Sequence, residues 1–199
     1  WFAEGVLNET LMNKEVLSLM RDGCFLFLTG IEDLSHPVSG GGDKISGDIK
    51  KLRHYSELMN RYSIPTLYSL MFGTDNQSFD YIIQAIELVN ELKLTTIIHK
   101  AIPFIGTRWY KEIEKDGRME ERSLDQYGKT HIIFKPKNME KAELSKGISL
   151  FHKEVFSPYR CLERSIYHSK NGNYMRNMIF DTLANLTGAV TSYYLSRRR

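Results

Sequence analysis

The sequence predicts an α/β fold built on a parallel sheet, and three observations carry that expectation. Apolar runs of strand length alternate with segments whose apolar residues recur at helical spacing. The intervening segments are long enough for helical crossovers, which join parallel neighbours. The runs at residues 24–29, 66–72 and 95–98 lead into polar, glycine-containing segments. Taken in order, residues 2–7 are a strand candidate. Residues 13–20 open on Asn13, a good N-cap, and set Val16, Leu17, Leu19 and Met20 at helical spacing before Gly23. Residues 24–29 form a continuous apolar run, the pattern of a strand buried on both faces. Residues 45–62 place Ile49, Leu52, Tyr55, Leu58 and Met59 on one helical face, and Pro65 ends that helix. A strand over 66–72, a helix over 79–92 and a strand over 95–98 complete the alternation.

After Trp109 the rhythm changes. A short helix closes at Gly117, one strand candidate occupies 130–134, and two helical stretches follow, 141–168 with a break near Ser157-Pro158, and 174–195. The expected organisation is an α/β part over 1–108 and a mostly helical part over 109–199.

With 42% hydrophobic residues the chain is rich enough in apolar side chains to bury a sizeable core. A net charge of +3 spread over the whole length is too diffuse for a nucleic-acid footprint, so no nucleic-acid partner is expected. No apolar run is long enough for a transmembrane segment and no secretory signal opens the chain, which reads as cytoplasmic. Cys24 and Cys161 lie too far apart in sequence to suggest a thiolate metal site, and both read as small buried hydrophobes; no metal ligands are assigned.

Ligands of parallel α/β folds sit at the C-terminal ends of strands. Here those ends read Thr29-Gly30-Ile31-Glu32-Asp33, Met71-Phe72-Gly73-Thr74-Asp75-Asn76 and, after the last strand, Lys100 through Ile102 and Pro103 to Thr107. Each combines a glycine with a carboxylate or hydroxyl able to bond a polyhydroxylated ligand, though each also suits an ordinary strand-exit turn. His99 and Lys100 close the last strand, where a histidine either faces a substrate or serves as a structural hydrogen-bonder.

As an ordered set, Gly23-Cys24-x-x-Phe27-Leu28-x-Gly30-Ile31-Glu32, Phe72-Gly73-x-Asp75 and Pro103-x-x-Gly106-Thr107-x-x-Tyr110 resemble the second half of the barrel of cobalamin-binding radical S-adenosylmethionine (SAM) enzymes. Gly117-Arg118, Asp125-Gln126-Tyr127 and residues 131–139 extend the resemblance to roughly residue 160. It implies a partial (β/α)6 radical SAM barrel represented by its third to sixth strands, followed by an α-rich C-terminal region. By the same analogy Glu32 meets the ribose or methionyl part of SAM, Gly30 is a further cofactor-binding residue, the backbone near Gly73 and Ile102 flanks the adenine, and Asp75 bonds a SAM or substrate group or else caps its strand. Asp33 stands where the family often has Ser, and three glycines precede Lys44.

The family binds a [4Fe-4S] cluster through a Cys-x3-Cys-x2-Cys loop after its first strand, and this chain has no such loop. Because the chain starts on Trp1 and not Met, the expectation is a fragment whose first barrel half, cluster loop and cobalamin domain lie upstream. That fragment contributes SAM-binding and substrate-covering parts to SAM cleavage or cobalamin-dependent methyl transfer on a small-molecule or lipid-like substrate, is inactive alone, and has no assignable catalytic residue. The alternative is a non-catalytic α/β binding module derived from the same fold.

Overall fold

The computed structural model describes residues 1–34, 47–121, 123, 127 and 132–170. Within them the chain forms a four-stranded parallel sheet and six helices. The strands, β1 (Phe2–Glu4), β2 (Leu26–Glu32), β3 (Thr66–Phe72) and β4 (Thr95–Lys100), lie side by side in chain order. Helices α1 (Lys14–Gly23), α2 (Ile49–Arg61) and α3 (Phe79–Glu91) are the crossovers, and α4 (Arg108–Lys115), α5 (Lys141–Val155) and α6 (Pro158–Ser169) follow β4. The helix starts follow side-chain chemistry. Asn13, Asp48, Ser78, Thr107 and Ser157 each accept a hydrogen bond from a first-turn backbone N–H, and Pro158 opens α6. The expected helix over 174–195 and the glycine-rich loop before Lys44 lie outside the described residues.

Several boundaries shift: the first strand stops at Glu4 and not at residue 7, the helix expected over 45–62 spans Ile49–Arg61, and the last strand runs on to Lys100. The apolar run at 24–29 does not begin a strand at Cys24, because the Cys24 N–H donates to Met20 O and serves as the C-cap of α1; the strand starts at Leu26 and continues through Glu32. The strand expected over 130–134 is, in its described part, a single antiparallel bridge between Phe134 and Met119.

A larger correction concerns burial. The apolar run at 24–29 reads as a strand buried on both faces, yet β2, like β3, alternates between buried and partly exposed residues along its whole length. Phe27, Ile31, Tyr68, Leu70 and Phe72 face the helices and share one core with Leu17, Met20, Leu52, Met59, Ile82, Val89, Ile148 and Phe151. Phe72 meets the rings of Tyr81 and Phe151 edge-on. Close approach of α3 and α5 depends on Gly147, whose Cβ position lies 2.5 Å from Ile82 Cδ1. Leu26, Leu28, Leu67 and Ser69 belong to the other face and no described helix covers them. A second, smaller core of Ala101, Ile113, Ile133 and Phe134 packs against Met71, Ile102, Trp109 and Met119 at the C-terminal end of the sheet. No helix among the described residues is long and apolar enough to cross a membrane.

His152 on α5 is buried, with Nδ1 lacking a hydrogen-bond partner, beside the ring of Phe156 and near Lys100. Burial, and then the Lys100 charge, hold its pKa below the ordinary 6.5. The unfolded chain therefore binds this proton at a higher pH than the folded one, and stability falls as pH drops below 6.5. Urea titrations are expected to show a falling midpoint between pH 7 and 5, by at most about 1.4 kcal/mol per pH unit from this group. His152→Gln should flatten that part of the dependence.

Candidate functional site

The sheet face that no described helix covers is where the strand-exit residues have to be placed. Register puts Phe2 and Glu4 of β1, Leu26, Leu28 and Gly30 of β2, Leu67, Ser69 and Met71 of β3, and Thr95, Ile97 and His99 of β4 in adjacent rows on that face. Most of these residues are apolar, and the polar groups among them are few: Glu4, Ser69, His99, the buried Thr95 and, at the end of β2, Glu32. An apolar surface with a few polar groups is the usual character of a small-molecule site. The smaller core bounds it at the β3 end through Met71, and Ile102 belongs to that wall. His99 is exposed beside Met71, whereas Lys100 pairs with Phe72 and points to the helix side, where burial lowers its pKa.

Glu32 is the most distinctive residue on the face. Between Gly30 and Glu32 the pairing register with β3 slips, and Glu32 takes a left-handed backbone at φ 63°. Two other described non-glycine residues have positive φ, Ser63 and Lys93, and both are explained by helix ends: the next N–H donates back to Met59 O and Val89 O respectively, closing α2 and α3. No helix end accounts for Glu32. Its carboxylate has no hydrogen-bond or ion-pair partner among the described residues, and it folds back over Gly30, where a Cβ would lie 2.6 Å from Glu32 Oε1. Gly30 thus makes the space in which the Glu32 carboxylate lies on the sheet. Strain of this kind concentrates at ligand sites.

The β3 exit is arranged differently. Gly73, at φ 100°, is buried, its N–H donates to Gln77 Oε1 at 2.8 Å, and its Cα packs against Leu144 of α5. The Asp75 carboxylate receives Arg118 in a two-point pair, Nη1 to Oδ1 at 2.7 Å and Nη2 to Oδ2 at 2.9 Å, and Lys137 N donates to Oδ1. Arg118 also donates to Lys135 O and Asp116 Oδ2. This joint fastens the strap formed by residues 116–121 and 132–138, which carries the outer wall, to the end of β3. Of the residues singled out in the sequence, then, Gly30 and Glu32 come together on the open face, Ile102 stands in its wall, and Gly73 and Asp75 serve the joint behind it. Gln77 and Arg118 were not singled out; Gly117-Arg118 appeared only as part of the resemblance, and Gln77 carried no local signal.

A cavity of about 30 Å³ lies at the opposite end of β3 and β4, lined by Ser63, Tyr68, Lys93 and Tyr167 among others. It has room for one or two water molecules and is remote from the strand exits. Among the described residues no group of three His, Cys, Asp or Glu side chains is placed to hold a metal ion.

No protein-family model matches the chain. The chain is similar to the bacteriochlorophyllide d C-12(1)-methyltransferase of Chlorobaculum tepidum, at 25% identity over 162 residues, covering 77% of this chain and 34% of that protein. It therefore spans about one third of the relative's length.

Proposed function

We propose that this chain is the ligand-bearing part of a SAM-dependent methyl-transferring enzyme, its four strands standing as the third to sixth of a radical SAM barrel. The carrying observation is a strained Glu32, without a partner among the described residues, at the end of a half-buried sheet face that no described helix covers. Parallel sheets are ordinarily covered on both faces, and a face that no described helix covers, carrying few polar groups, suits the inside of a barrel whose remaining strands come from elsewhere. Similarity to a methyltransferase supports the reading, and the three family-like motifs fall at the ends of β2, β3 and β4.

Toward SAM the residues fit. Glu32 is an acceptor for ribose hydroxyls or the methionyl ammonium, and the apolar rows beside it suit the rest of the nucleoside and a small-molecule or lipid-like substrate. Toward a [4Fe-4S] cluster they do not fit: Cys24 is buried at the end of α1, Cys161 sits in α6, and the chain has no third thiolate. The cluster ligands, the preceding strands and any cobalamin-binding segment belong, in this reading, to residues outside this chain, and no step of catalysis is derived through those groups. The alternative reading is a non-catalytic α/β binding module derived from the same fold. Translating the frame ahead of Trp1 separates the two, since a Cys-x3-Cys-x2-Cys loop there supports the enzyme.

Binding is testable on the chain itself by calorimetry with S-adenosylhomocysteine. Glu32→Gln is expected to weaken affinity about 10- to 100-fold, the worth of hydrogen bonds to a charged group, while leaving the thermal midpoint within about 2 °C because no protein contact is lost. Equal affinity for the two proteins would remove Glu32 from the site.

A further inference from the structure

A left-handed non-glycine residue persists only where its surroundings fix the backbone on both sides. On the N-terminal side of Glu32, Ile31 is sealed in the main core at 1% exposure. On the C-terminal side the anchor is Asp33, an acidic residue only 4% exposed. Its Oδ2 accepts from Gln77 Nε2 at 3.0 Å, and its N–H donates to Ile31 O at 2.8 Å, so the backbone doubles back around Glu32. Gln77 is itself fully buried and spends its amide on both strand exits. Nε2 also donates to Met71 O at 3.0 Å, while Oε1 accepts from Gly73 N at 2.8 Å and from Thr74 N at 3.4 Å. Tyr81 closes the cluster, its hydroxyl accepting from Leu34 N at 3.0 Å next to the Asp33 carboxylate.

We infer that Gln77 and Asp33 are the positioning pair of the site: by tying the end of β2 to the end of β3 they hold Glu32 in its left-handed conformation, with its carboxylate laid over Gly30 toward the ligand. Neither side chain needs to touch the ligand. The inference rests on the role given to Glu32 above and adds the device that keeps it in place. Released from Gln77, the segment 31–34 relaxes toward extended backbone and carries the Glu32 carboxylate away from Gly30.

A double-mutant cycle on the whole chain tests this, with S-adenosylhomocysteine as the probe. Gln77→Met is expected to weaken binding about tenfold when Glu32 is present and less than about twofold in the Glu32→Gln background. Asp33→Asn keeps an acceptor for Gln77 and should stay within about threefold of the parent. Losses that simply add, or an Asp33→Asn variant as weak as Gln77→Met, overturn the proposal. The carboxyl carbon-13 resonance of Glu32 provides a reading that needs no ligand: it is expected to shift in Gln77→Met and to hold in Asp33→Asn. An unmoved resonance in Gln77→Met overturns the proposal even if the nucleoside binds, and a moved one sustains it even if the nucleoside does not bind and the functional reading fails. If Gln77→Met does not fold, Gln77→Glu, which keeps the acceptor for Gly73 and Thr74 but loses the donor to Asp33, is read in the same way with the same expected direction.

Discussion

Replacing Gly73 by alanine is expected to lower the stability of the chain by about 3 kcal/mol, read as a drop in the urea midpoint with little change in slope. Two costs add. The backbone at φ 100° lies in a region that an L side chain occupies at about 1–2 kcal/mol. A Cβ there would also lie 2.7 Å from Leu144 Cδ2, inside the seam between the β3 exit and α5, and overpacking of a filled core costs about 1–3 kcal/mol. Gly117 separates the terms, since it has φ 67° and nothing within 4 Å of its Cβ position. Gly117→Ala should cost about 1 kcal/mol, the backbone term alone. Equal losses at the two glycines would mean that Leu144 gives way freely and that the seam is looser than its geometry states. Trimming Leu144 to valine in the Gly73→Ala background should recover only the steric part.

Gly73 also shows what a reader of the sequence can and cannot obtain. A glycine ending an apolar run marks a backbone special, and that much was legible, as were the helix cap Asn13, the break near Ser157-Pro158 and the parallel alternation itself. The use of the glycine was not legible, because Leu144 lies 71 positions further on and nothing local announces it. The continuous apolar run at 24–29 was read as a strand covered on both faces. Leu26 and Leu28 are as apolar as Phe27, and composition alone does not tell a face buried under helices from one left open for a ligand or another chain segment. Cys24 illustrates a boundary decided by competition, since the end of α1 takes its N–H before the strand begins. Glu32 was legible as a residue type at a strand end; its bulge and positive φ emerge only when β2 is registered against β3. Gln77, between Asn76 and Ser78, looks like any polar turn residue, yet its side chain is sealed and joins Asp33 across 44 positions. Hydrogen bonds of that range carry no periodicity, so pattern reading passes over them.

The same blindness applied to Asp75, for which ligand contact and a structural role were both open at the sequence level. In the fold its two oxygens are taken up by Arg118 and Lys137 N, and removing the arginine tests how much the wall of the site depends on that joint. Arg118→Met is expected to cost about 2–3 kcal/mol. The pair is mostly enclosed, with side-chain exposures of 13% for Arg118 and 18% for Asp75, which places it well above a surface ion pair but below a fully sealed one. Most of the loss comes from the carboxylate left behind with Lys137 N as its remaining donor. A companion change of Asp75 to leucine should therefore restore part of the stability, because no charge is then stranded. Arg118→Lys should fall between, keeping the charge but losing the two-point geometry. Local exchange locates the damage. The amides of Glu120, Glu121 and Lys135, which hold the strap through Ile133 O and Arg118 O, should exchange faster. Those of β3 should stay protected by the paired strands on either side. If β3 opened together with the strap, the wall and the sheet would be one cooperative unit and the joint at Asp75 would be no more than one contact among many.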